Sequence, residues 1–280
     1  MAKNGAPIFR FGWRLPLVFY YFLSGSSSGL FLHIFWDNIV IKNPSADRTT
    51  FYINFIPALM TSIGLASLAC KKEKSLKGAF PIDDQKRSWF VIEFLLGVVF
   101  IGLSNWYAFS GGKLAALCAG FIAILYILCQ GLNLFPVQSI ETFRLNLFPI
   151  LFFTSGISTG YGIWIILRLN PRGLPGNLWI HWGAFVILIN LMAWGYVIWI
   201  KSSFFSSKIL KRLRRNVTLI AILDGGIPIL AIIGIYFSGL TLEMSKTFVT
   251  RLGNCCGISL CLGGWIKYYL VLKNFAVNRI

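Results

Sequence analysis

The chain has 280 residues, of which 56% are hydrophobic and 12% are charged, with a mean hydropathy of +0.72 and a formal net charge of +17. Soluble globular domains carry about twice that share of charged residues. The composition therefore excludes an ordinary soluble domain and indicates a protein whose solvent is the lipid bilayer.

Eight apolar stretches of about 20 residues follow one another along the chain. A helix that rises about 1.5 Å per residue needs roughly 20 residues to cross about 30 Å of hydrocarbon. The stretches are continuous rather than alternating, which favours helices over the strands of a barrel. The sequence therefore predicts an all-α integral membrane protein with a single membrane domain over residues 1–280. Its eight transmembrane helices are expected at Leu15–Trp36, Phe51–Cys70, Trp89–Ser110, Leu114–Phe135, Leu145–Leu167, Leu178–Ile200, Asn216–Ser238 and Phe248–Leu270.

The basic residues are distributed unevenly. The N-terminus, the even-numbered loops and the C-terminal end carry 19 of the 26 Lys and Arg residues, and the odd-numbered loops carry the other 7. Under the positive-inside rule, this asymmetry places both termini in the cytoplasm, in a multi-pass protein of the inner (cytoplasmic) cell membrane. The pattern does not predict nucleic-acid binding. The basic runs Lys71–Lys74 and Lys208–Arg215 either serve only this retention role or also contact anionic lipid head groups or an acidic partner.

Few residues are of the kind that holds a prosthetic group. A membrane cytochrome with two haems needs more axial histidines than His33 and His181, which are the only two here. The two histidines could either share one haem or serve as hydrogen-bonded residues between helices, and we expect the hydrogen-bonded role. The six cysteines show no CxxC spacing and lie mostly within the predicted spans. The chain is thus predicted to carry no haem and no iron–sulfur cluster.

One short pattern occurs twice. The first span contains F-x-S-G-x-S-x-G at Phe22–Gly29, and the fifth span contains it again at Phe153–Gly160, 131 residues later. Small residues four positions apart let helix backbones approach closely, and the hydroxyls can bond across helices. Because four spans separate the copies, both helices leave the same side of the membrane. This predicts a parallel repeat of two four-helix bundles, unless the pattern is only the small-residue face that many membrane helices carry.

Two of these helices are similar to those of a known family. The segment Tyr20–Leu30 resembles the opening helix of the NrfD/PsrC family, the membrane subunits of polysulfide-reductase-type and related molybdenum oxidoreductases. The segment Leu147–Gly160 resembles that family's signature LP-x-LF-x-x-S-x-x-x-x-G, and Arg251–Gly264 is similar to its closing helix. The resemblance covers all eight spans in order, although only the first and fifth carry specific motifs.

The resemblance implies a function and a set of partners. Members of the family anchor a molybdopterin-type catalytic subunit, with molybdenum or tungsten, and a four-cluster iron–sulfur subunit. They bind a quinone or quinol, either menaquinone or ubiquinone, at the membrane edge nearest the clusters, and they hold no haem. The chain is accordingly expected to pass electrons between the membrane quinone pool and the iron–sulfur subunit.

Polar groups suited to quinone binding are expected at one membrane edge. A quinone site needs an apolar slot, a donor to each carbonyl and a group that exchanges protons. Tyr20 and Glu93 each lie six residues past an arginine, about 9 Å into their helices from the cytoplasmic edge. Tyr126 and Gln130 lie on the fourth span as it returns to that edge. Glu93 is the strongest candidate, because a carboxyl group within a span is costly and usually functional.

Alternatives stay open for the other candidates. Tyr20 is either a quinone ligand or an interfacial tyrosine of the aromatic belt, and Gln130 is either a ligand or a hydrogen-bond partner of a neighbouring helix. Asp224, on the seventh span, belongs either to the same cluster or, with Glu93, to a proton path. Within the family, polysulfide-reductase members have histidine at the position that Tyr20 occupies, whereas Glu93 resembles a functional glutamate of the dimethyl-sulfoxide-reductase anchors.

The predicted orientation departs from the commonest family arrangement. In many members both termini face the periplasm together with the catalytic subunits, but the basic residues here predict cytoplasmic termini and therefore a cytoplasmic iron–sulfur partner. Two other classes of protein stay open. One is a small-solute or proton-coupled transporter, which would need a polar path through both leaflets, whereas the polar candidates cluster at one edge. The other is a purely structural membrane anchor.

Overall fold

A computed structural model describes residues 14–40, 48–69, 84–134, 148–172, 177–196, 216, 218–240 and 246–277. Within these residues the chain is helical and contains no strand, which confirms the predicted all-α class. Both termini, Cys70 and the basic runs Lys71–Lys74 and Lys208–Arg215 lie outside the described residues. The eight α-helices of the described part are α1 (Arg14–Phe35), α2 (Arg48–Ala69), α3 (Asp84–Ser110), α4 (Lys113–Leu134), α5 (Phe148–Arg172), α6 (Asn177–Gly195), α7 (Ile227–Leu240) and α8 (Lys246–Val277).

Some helices are longer than the predicted spans, and two π-helical turns occur, because hydropathy reports neither the ends of helices nor their hydrogen-bonding pattern. α3 begins at Asp84 and α8 continues to Val277, since a helix does not have to end where its apolar segment ends. α1 continues into a π-helical turn at Trp36–Val40. A second π-helical turn, Ile222–Gly226, interrupts the predicted seventh span just before α7. Such turns occur often at functional sites.

Six helices of the described part are long and apolar enough to cross a membrane: the segments Pro16–Asn38, Phe90–Ser110, Lys113–Asn133, Pro149–Arg168, Leu178–Gly195 and Thr218–Phe237. The apolar part of α2 is shorter, Tyr52–Ser67, and α8 is not among the six. The chain is therefore a multi-pass membrane protein by the length and composition of its helices.

A tight turn joins α3 to α4. Gly111 has a φ of +62°, and its N–H donates a hydrogen bond to the carbonyl of Tyr107 at 2.8 Å. The next amide, that of Gly112, donates to the Ser110 hydroxyl at 3.1 Å. A glycine in the left-handed region is the usual end of a helix, because a side chain there would be strained.

The helices α1 and α5 form the centre of the molecule. α1 packs against α2, α4, α5 and α8, and α5 packs against α1, α4, α6 and α8. Of the apolar segment of α1, 72% is buried inside the protein, whereas only 28% of the segment of α3 is buried. α3 therefore lies at the periphery with most of its apolar surface turned outward, as expected of a helix that faces lipid.

The two copies of the repeated pattern meet where α1 crosses α5. A Cβ atom at Gly29 would collide with the backbone of Gly156, and one at Gly160 would collide with the backbone of Gly29. Across the same contact, Ser26 Oγ donates to Thr159 Oγ1 at 2.9 Å. The small residues therefore have a packing role, because they bring two helix backbones into direct contact.

Candidate functional site

Glu93 lies on the inner face of a helix that is otherwise turned mostly outward. Its neighbours Ile92 and Phe94 are exposed, whereas Glu93 itself is 0% exposed. The hydroxyl of Tyr20, on α1, donates a hydrogen bond to Glu93 Oε1 at 2.5 Å. The side-chain amide of Asn133, near the end of α4, donates to Glu93 Oε2. Both oxygens of this buried carboxyl group are therefore hydrogen-bonded, by residues from two other helices.

Tyr126 joins these residues through its hydroxyl, which donates to the Tyr20 hydroxyl at 3.3 Å. Tyr126 and Asn133 are two helical turns apart and so lie on one face of α4. Gly97 lies one turn after Glu93 on α3, and a Cβ atom there would lie 3.0 Å from the Tyr126 hydroxyl oxygen. The small size of Gly97 thus lets the phenol reach Tyr20. We call Tyr20, Glu93, Tyr126 and Asn133 the Glu93 cluster.

Gln130 lies one turn after Tyr126 on the same face of α4 and is fully buried. Its amide and the side chain of Ser24 lie beside the Tyr126 hydroxyl. Within the described part of the chain, neither polar atom of this amide has a hydrogen-bond partner of good geometry. The four residues predicted for one membrane level, Tyr20, Glu93, Tyr126 and Gln130, are thus brought together at the end of the molecule where α1 and α3 begin. Asn133 is an addition that the sequence did not predict.

The burial of Tyr20 decides between its two interpretations. Tyr20 is only 1% exposed, and its hydroxyl lies between two side chains of the cluster. An interfacial belt tyrosine would instead expose its hydroxyl to the head groups. Tyr20 is therefore a residue of the protein interior, and the belt interpretation is wrong.

The Glu93 cluster has the composition of a proton-exchange site. Its hydroxyls form a short chain from Tyr126 through Tyr20 to the carboxyl group, and each O–H can pass a proton to the next acceptor. The two salt bridges recorded between described residues involve Asp37 and Asp224 rather than Glu93. The partners of Glu93 are thus neutral donors, and a buried carboxyl group in that setting is more often functional than structural.

Asp224 belongs to a different cluster, so of its two interpretations the one that placed it with Glu93 is wrong. It lies in the π-helical turn before α7, where it is 1% exposed, and its Oδ2 atom is 2.5 Å from the ammonium nitrogen of Lys267 on α8. Asn190, on α6, accepts a hydrogen bond from Lys267 at 3.2 Å and donates to Asp224 Oδ2 at 3.5 Å. We call Asp224, Lys267 and Asn190 the Asp224 cluster.

Two further residues connect the Asp224 cluster to α5. Ser155 Oγ donates to Asn190 Oδ1 at 3.5 Å and accepts a hydrogen bond from Trp194 Nε1 at 2.9 Å. The Lys267 ammonium also lies 5.5 Å from the centre of the Trp194 ring, within the range of a cation–π contact. Helices α5, α6 and α8 and the turn before α7 are thus joined by one buried polar network.

A third group of buried polar residues lies at the other end of α1. Asp37 is 3.5 Å from a guanidinium nitrogen of Arg168 and accepts a hydrogen bond from Trp179 Nε1 at 3.3 Å. Nearby, the amide of Asn38 donates to the Tyr107 hydroxyl at 2.9 Å. Asp37 and Arg168 also line a small pocket with room for about one water molecule. The expectation that polar candidates cluster at only one edge is therefore wrong.

The hydrogen bonds of His33 favour its structural interpretation. Trp182 Nε1 donates to His33 Nδ1 at 3.1 Å, so the other ring nitrogen carries the proton and donates to the carbonyl of Ile157 at 2.9 Å. Both ring nitrogens are thus hydrogen-bonded, as expected for an interface histidine. His181 is exposed, and its ring contacts Tyr236 edge-on.

The residues that sequence reasoning missed had weak signals. Lys267 falls inside the predicted eighth span, where a lysine points to a buried partner, but it lies only three residues before the end of that span and also fits the basic C-terminal end. Asn133 is a polar residue near the end of a span, where polarity is ordinary, and Asn190 is a single uncharged polar residue within a strongly apolar span. Asp37 falls just after the predicted first span, because the π-helical turn that carries it has no hydropathy signature.

Comparisons of this chain with family models, with curated proteins and with solved structures gave no match.

Proposed function

We propose that this chain is the quinone-binding membrane anchor of a multisubunit oxidoreductase. It exchanges electrons between the membrane quinone pool and an iron–sulfur partner subunit, as its resemblance to the NrfD/PsrC family implies. The observation that carries the proposal is the Glu93 cluster, a fully buried carboxyl group hydrogen-bonded to Tyr20 and Asn133, with no salt bridge to any residue that the structure describes. The quinone is menaquinone or ubiquinone.

The chemistry of a quinone needs such a group. Reduction of a quinone to a quinol takes up two electrons and two protons, and oxidation of the quinol returns them. The electrons come from or go to the clusters of the partner subunit. The protons pass through residues of this chain, for which the carboxyl group of Glu93 and the hydroxyls of Tyr20 and Tyr126 are suited. Gln130 supplies hydrogen bonds to the ligand, and Asp224 belongs to a proton path in the second half of the chain.

The helix contacts support a two-bundle arrangement in which all eight helices span the membrane. α1 contacts α2, α2 contacts α3, α3 contacts α4, and α4 contacts α1. The second four helices make the equivalent closed set of contacts, with α5 against α6, α6 against α7, α7 against α8, and α8 against α5. The repeated pattern lies at the α1–α5 contact between the two sets. Both termini and the partner subunits, an iron–sulfur subunit and a molybdopterin-type catalytic subunit, are on the cytoplasmic side of the inner membrane.

The variant Glu93→Gln tests the proposal. Glutamine keeps the shape and hydrogen-bonding capacity of glutamate but loses the exchangeable proton of the carboxyl group. In the complex purified through this chain, we expect quinone-linked turnover to fall by about 10²–10⁴-fold. Turnover with a soluble dye that bypasses the membrane subunit should not change.

A milder change and a matched control complete the test. Tyr20→Phe removes one hydroxyl and should weaken quinone binding by roughly 1 kcal/mol, which is a few-fold. Tyr236→Phe, on a half-exposed tyrosine of α7, should have no effect on either activity. Quinone-linked turnover in Glu93→Gln equal to that of the wild type would contradict the site assignment.

A transporter is the second candidate, because buried polar residues follow α1 along most of its length. They extend from Tyr20 to Asp37, and each is at most 3% exposed: Tyr20, Ser24, Ser27, Ser28, His33 and Asp37. The test measures proton flux, under an imposed potential, into vesicles that contain only this chain. Flux through the wild type that Asp37→Asn abolishes would favour the transporter. Vesicles that are no leakier than protein-free vesicles would favour the quinone anchor.

A further inference from the structure

A set of buried polar atoms without partners adjoins the Glu93 cluster. The atoms are Gln130 Oε1 and Nε2, Ser24 Oγ and the hydroxyl of Tyr268, and none of them has a hydrogen-bond partner of good geometry in the part of the chain that the structure describes. The three residues are 0%, 0% and 2% exposed, respectively. They come from three helices, since Ser24 lies on α1, Gln130 on α4 and Tyr268 on α8.

Gly25 is the point at which these helices meet. A Cβ atom at Gly25 would lie 2.5 Å from the Tyr268 hydroxyl oxygen and 3.4 Å from Gln130 Oε1. The hydroxyl of Tyr268 thus occupies the space that the side chain of any residue other than glycine at position 25 would fill. Its ring is held from two sides, with ring centres 5.0 Å from Phe152 and 6.2 Å from Phe22. The tyrosine is therefore fixed by packing, and its hydroxyl points into the α1–α4 contact.

Unpartnered buried polar groups are rare, because each one gives up its hydrogen bonds to water and receives nothing in return. A phenylalanine at position 268 would pack in the same place at lower cost. Groups that reduce stability in this way tend to be kept for function, and they concentrate at binding sites. The Tyr268 hydroxyl and the Gln130 amide oxygen, which lie beside Gly25, and the Ser24 hydroxyl beside Tyr126 together have the properties of a ligand-binding arm.

We propose that Gln130, Tyr268 and Ser24 bind one carbonyl oxygen of the quinone headgroup, an inference that rests on the proposed function. The Gln130 amide suits both redox states of the ligand, because Nε2 donates to a quinone carbonyl and Oε1 accepts from a quinol hydroxyl. The hydroxyls of Tyr268 and Ser24 can likewise donate or accept. The Tyr126 hydroxyl, which lies beside Ser24 and Gln130, connects this arm to Tyr20 and Glu93.

The proposal assigns a quinone-binding role to the second half of the chain. Tyr268 is a residue of α8, whereas Glu93, Tyr126 and Gln130 lie on α3 and α4. α8 contacts α1 directly, so the last helix completes a site whose proton-exchanging residues lie in the first half.

The variants Tyr268→Phe and Gln130→Met separate ligand binding from packing. Each removes polar atoms at nearly constant volume. We expect a thermal unfolding midpoint equal to or above that of the wild type, because an unpartnered polar group is removed. We also expect the Kd for decylubiquinone or a short-chain menaquinone analogue, measured by quenching of tryptophan fluorescence, to rise about three- to tenfold. Tyr236→Phe is the matched control and should change neither quantity.

A second test uses the position of Gly25. Gly25→Ala places a Cβ atom where the Tyr268 hydroxyl lies, so it should raise the Kd as Tyr268→Phe does. Added to Tyr268→Phe, which already lacks that hydroxyl, Gly25→Ala should raise the Kd little further. This non-additivity is expected only if both changes act on the same hydroxyl.

The outcomes distinguish this inference from the proposed function. A wild-type chain that binds neither quinone would overturn both. Quinone binding by the wild type with an unchanged Kd in Tyr268→Phe and Gln130→Met would overturn only the inference. It would show that the polar atoms around Gly25 bind at most buried water. A raised Kd without a lowered unfolding midpoint supports the inference.

Discussion

Two buried carboxyl groups in this chain are stabilised by different means. Glu93 is satisfied by hydrogen bonds from Tyr20 and Asn133, whereas Asp224 is paired with the ammonium of Lys267. A carboxyl group that faces only neutral donors can gain or lose a proton without breaking an ion pair. For Asp224, the same change would leave Lys267 without its counter-ion in a low-dielectric interior, which is costly. At the residue scale, a proton is therefore exchanged at lower cost at Glu93 than at Asp224, where the proposed proton path has to involve Lys267 as well.

The Asp224–Lys267 pair predicts a large effect on stability. Lys267→Met leaves a buried carboxylate without its cation, and we expect the free energy of unfolding to fall by about 3–5 kcal/mol. Asp224→Asn combined with Lys267→Met removes both charges and should recover most of that loss. Thermal or denaturant unfolding in detergent micelles measures the three differences.

The control is another cation on the same helix. Arg251 is exposed, so Arg251→Met should change the unfolding free energy by less than about 0.5 kcal/mol. A Lys267→Met variant as stable as Arg251→Met would show that the ion pair contributes nothing measurable.

The sequence was most informative about residues whose chemistry conflicts with their surroundings. Glu93 could be identified because no carboxyl group belongs in a hydrocarbon layer without a reason. Tyr268 could not, since a tyrosine near the end of a membrane helix is ordinary, and its importance depends on Gly25, about 240 positions earlier in the chain. Contacts of that kind depend on helix packing, which hydropathy does not encode.

At the element scale, the α1–α5 contact depends on the absence of side chains. Gly29 and Gly160 each lie where a Cβ atom would collide with the backbone of the other helix. A flexible side chain can move aside, but a helix backbone can only move as a unit. The repeated pattern predicted a close helix contact in general, although it did not indicate that its two copies would contact each other.

Replacing one of these glycines should therefore separate the two central helices. Gly160→Ala adds a methyl group against the backbone of Gly29, and we expect a loss of at least about 1–3 kcal/mol in unfolding free energy, as for an overpacked core. A lowered thermal unfolding midpoint, followed by circular dichroism, is the measurement.

Gly102 offers a matched comparison, because a Cβ atom there has nothing within 4 Å. Gly102→Ala should be neutral or slightly stabilising, since alanine favours the helix more than glycine does. Equal unfolding midpoints for Gly160→Ala and Gly102→Ala would contradict the packing role of the α1–α5 contact.

At the scale of the whole molecule, the charge distribution predicts which side of the membrane the Glu93 cluster faces. The cluster lies near the beginnings of α1 and α3, the ends that follow the basic N-terminus and the basic second loop. If those segments stay in the cytoplasm, the proposed iron–sulfur partner must also be cytoplasmic, because electrons would have to pass over a short distance. A measurement of the orientation of the chain therefore also tests on which side the proposed partner lies.

Two reporter proteins, each fused after Ile280, test this orientation. Alkaline phosphatase is active only in the periplasm and should be inactive, whereas green fluorescent protein fluoresces in the cytoplasm and should be bright. The opposite result would place the C-terminus, the Glu93 cluster and the partner subunits on the periplasmic side.

The spacing of the repeat has a consequence for the history of the chain. Asp224 follows Glu93 by the same 131 residues that separate the two copies of F-x-S-G-x-S-x-G, and Ser155 follows Ser24 by that interval as well. A duplicated gene would place an acid at equivalent positions of both halves. In the first half the partners of that acid among the described residues are the neutral side chains of Tyr20 and Asn133, and in the second half the acid is paired with Lys267. Duplication followed by the gain of one lysine would thus leave two halves that carry an acid at the same position of the repeat in different electrostatic surroundings.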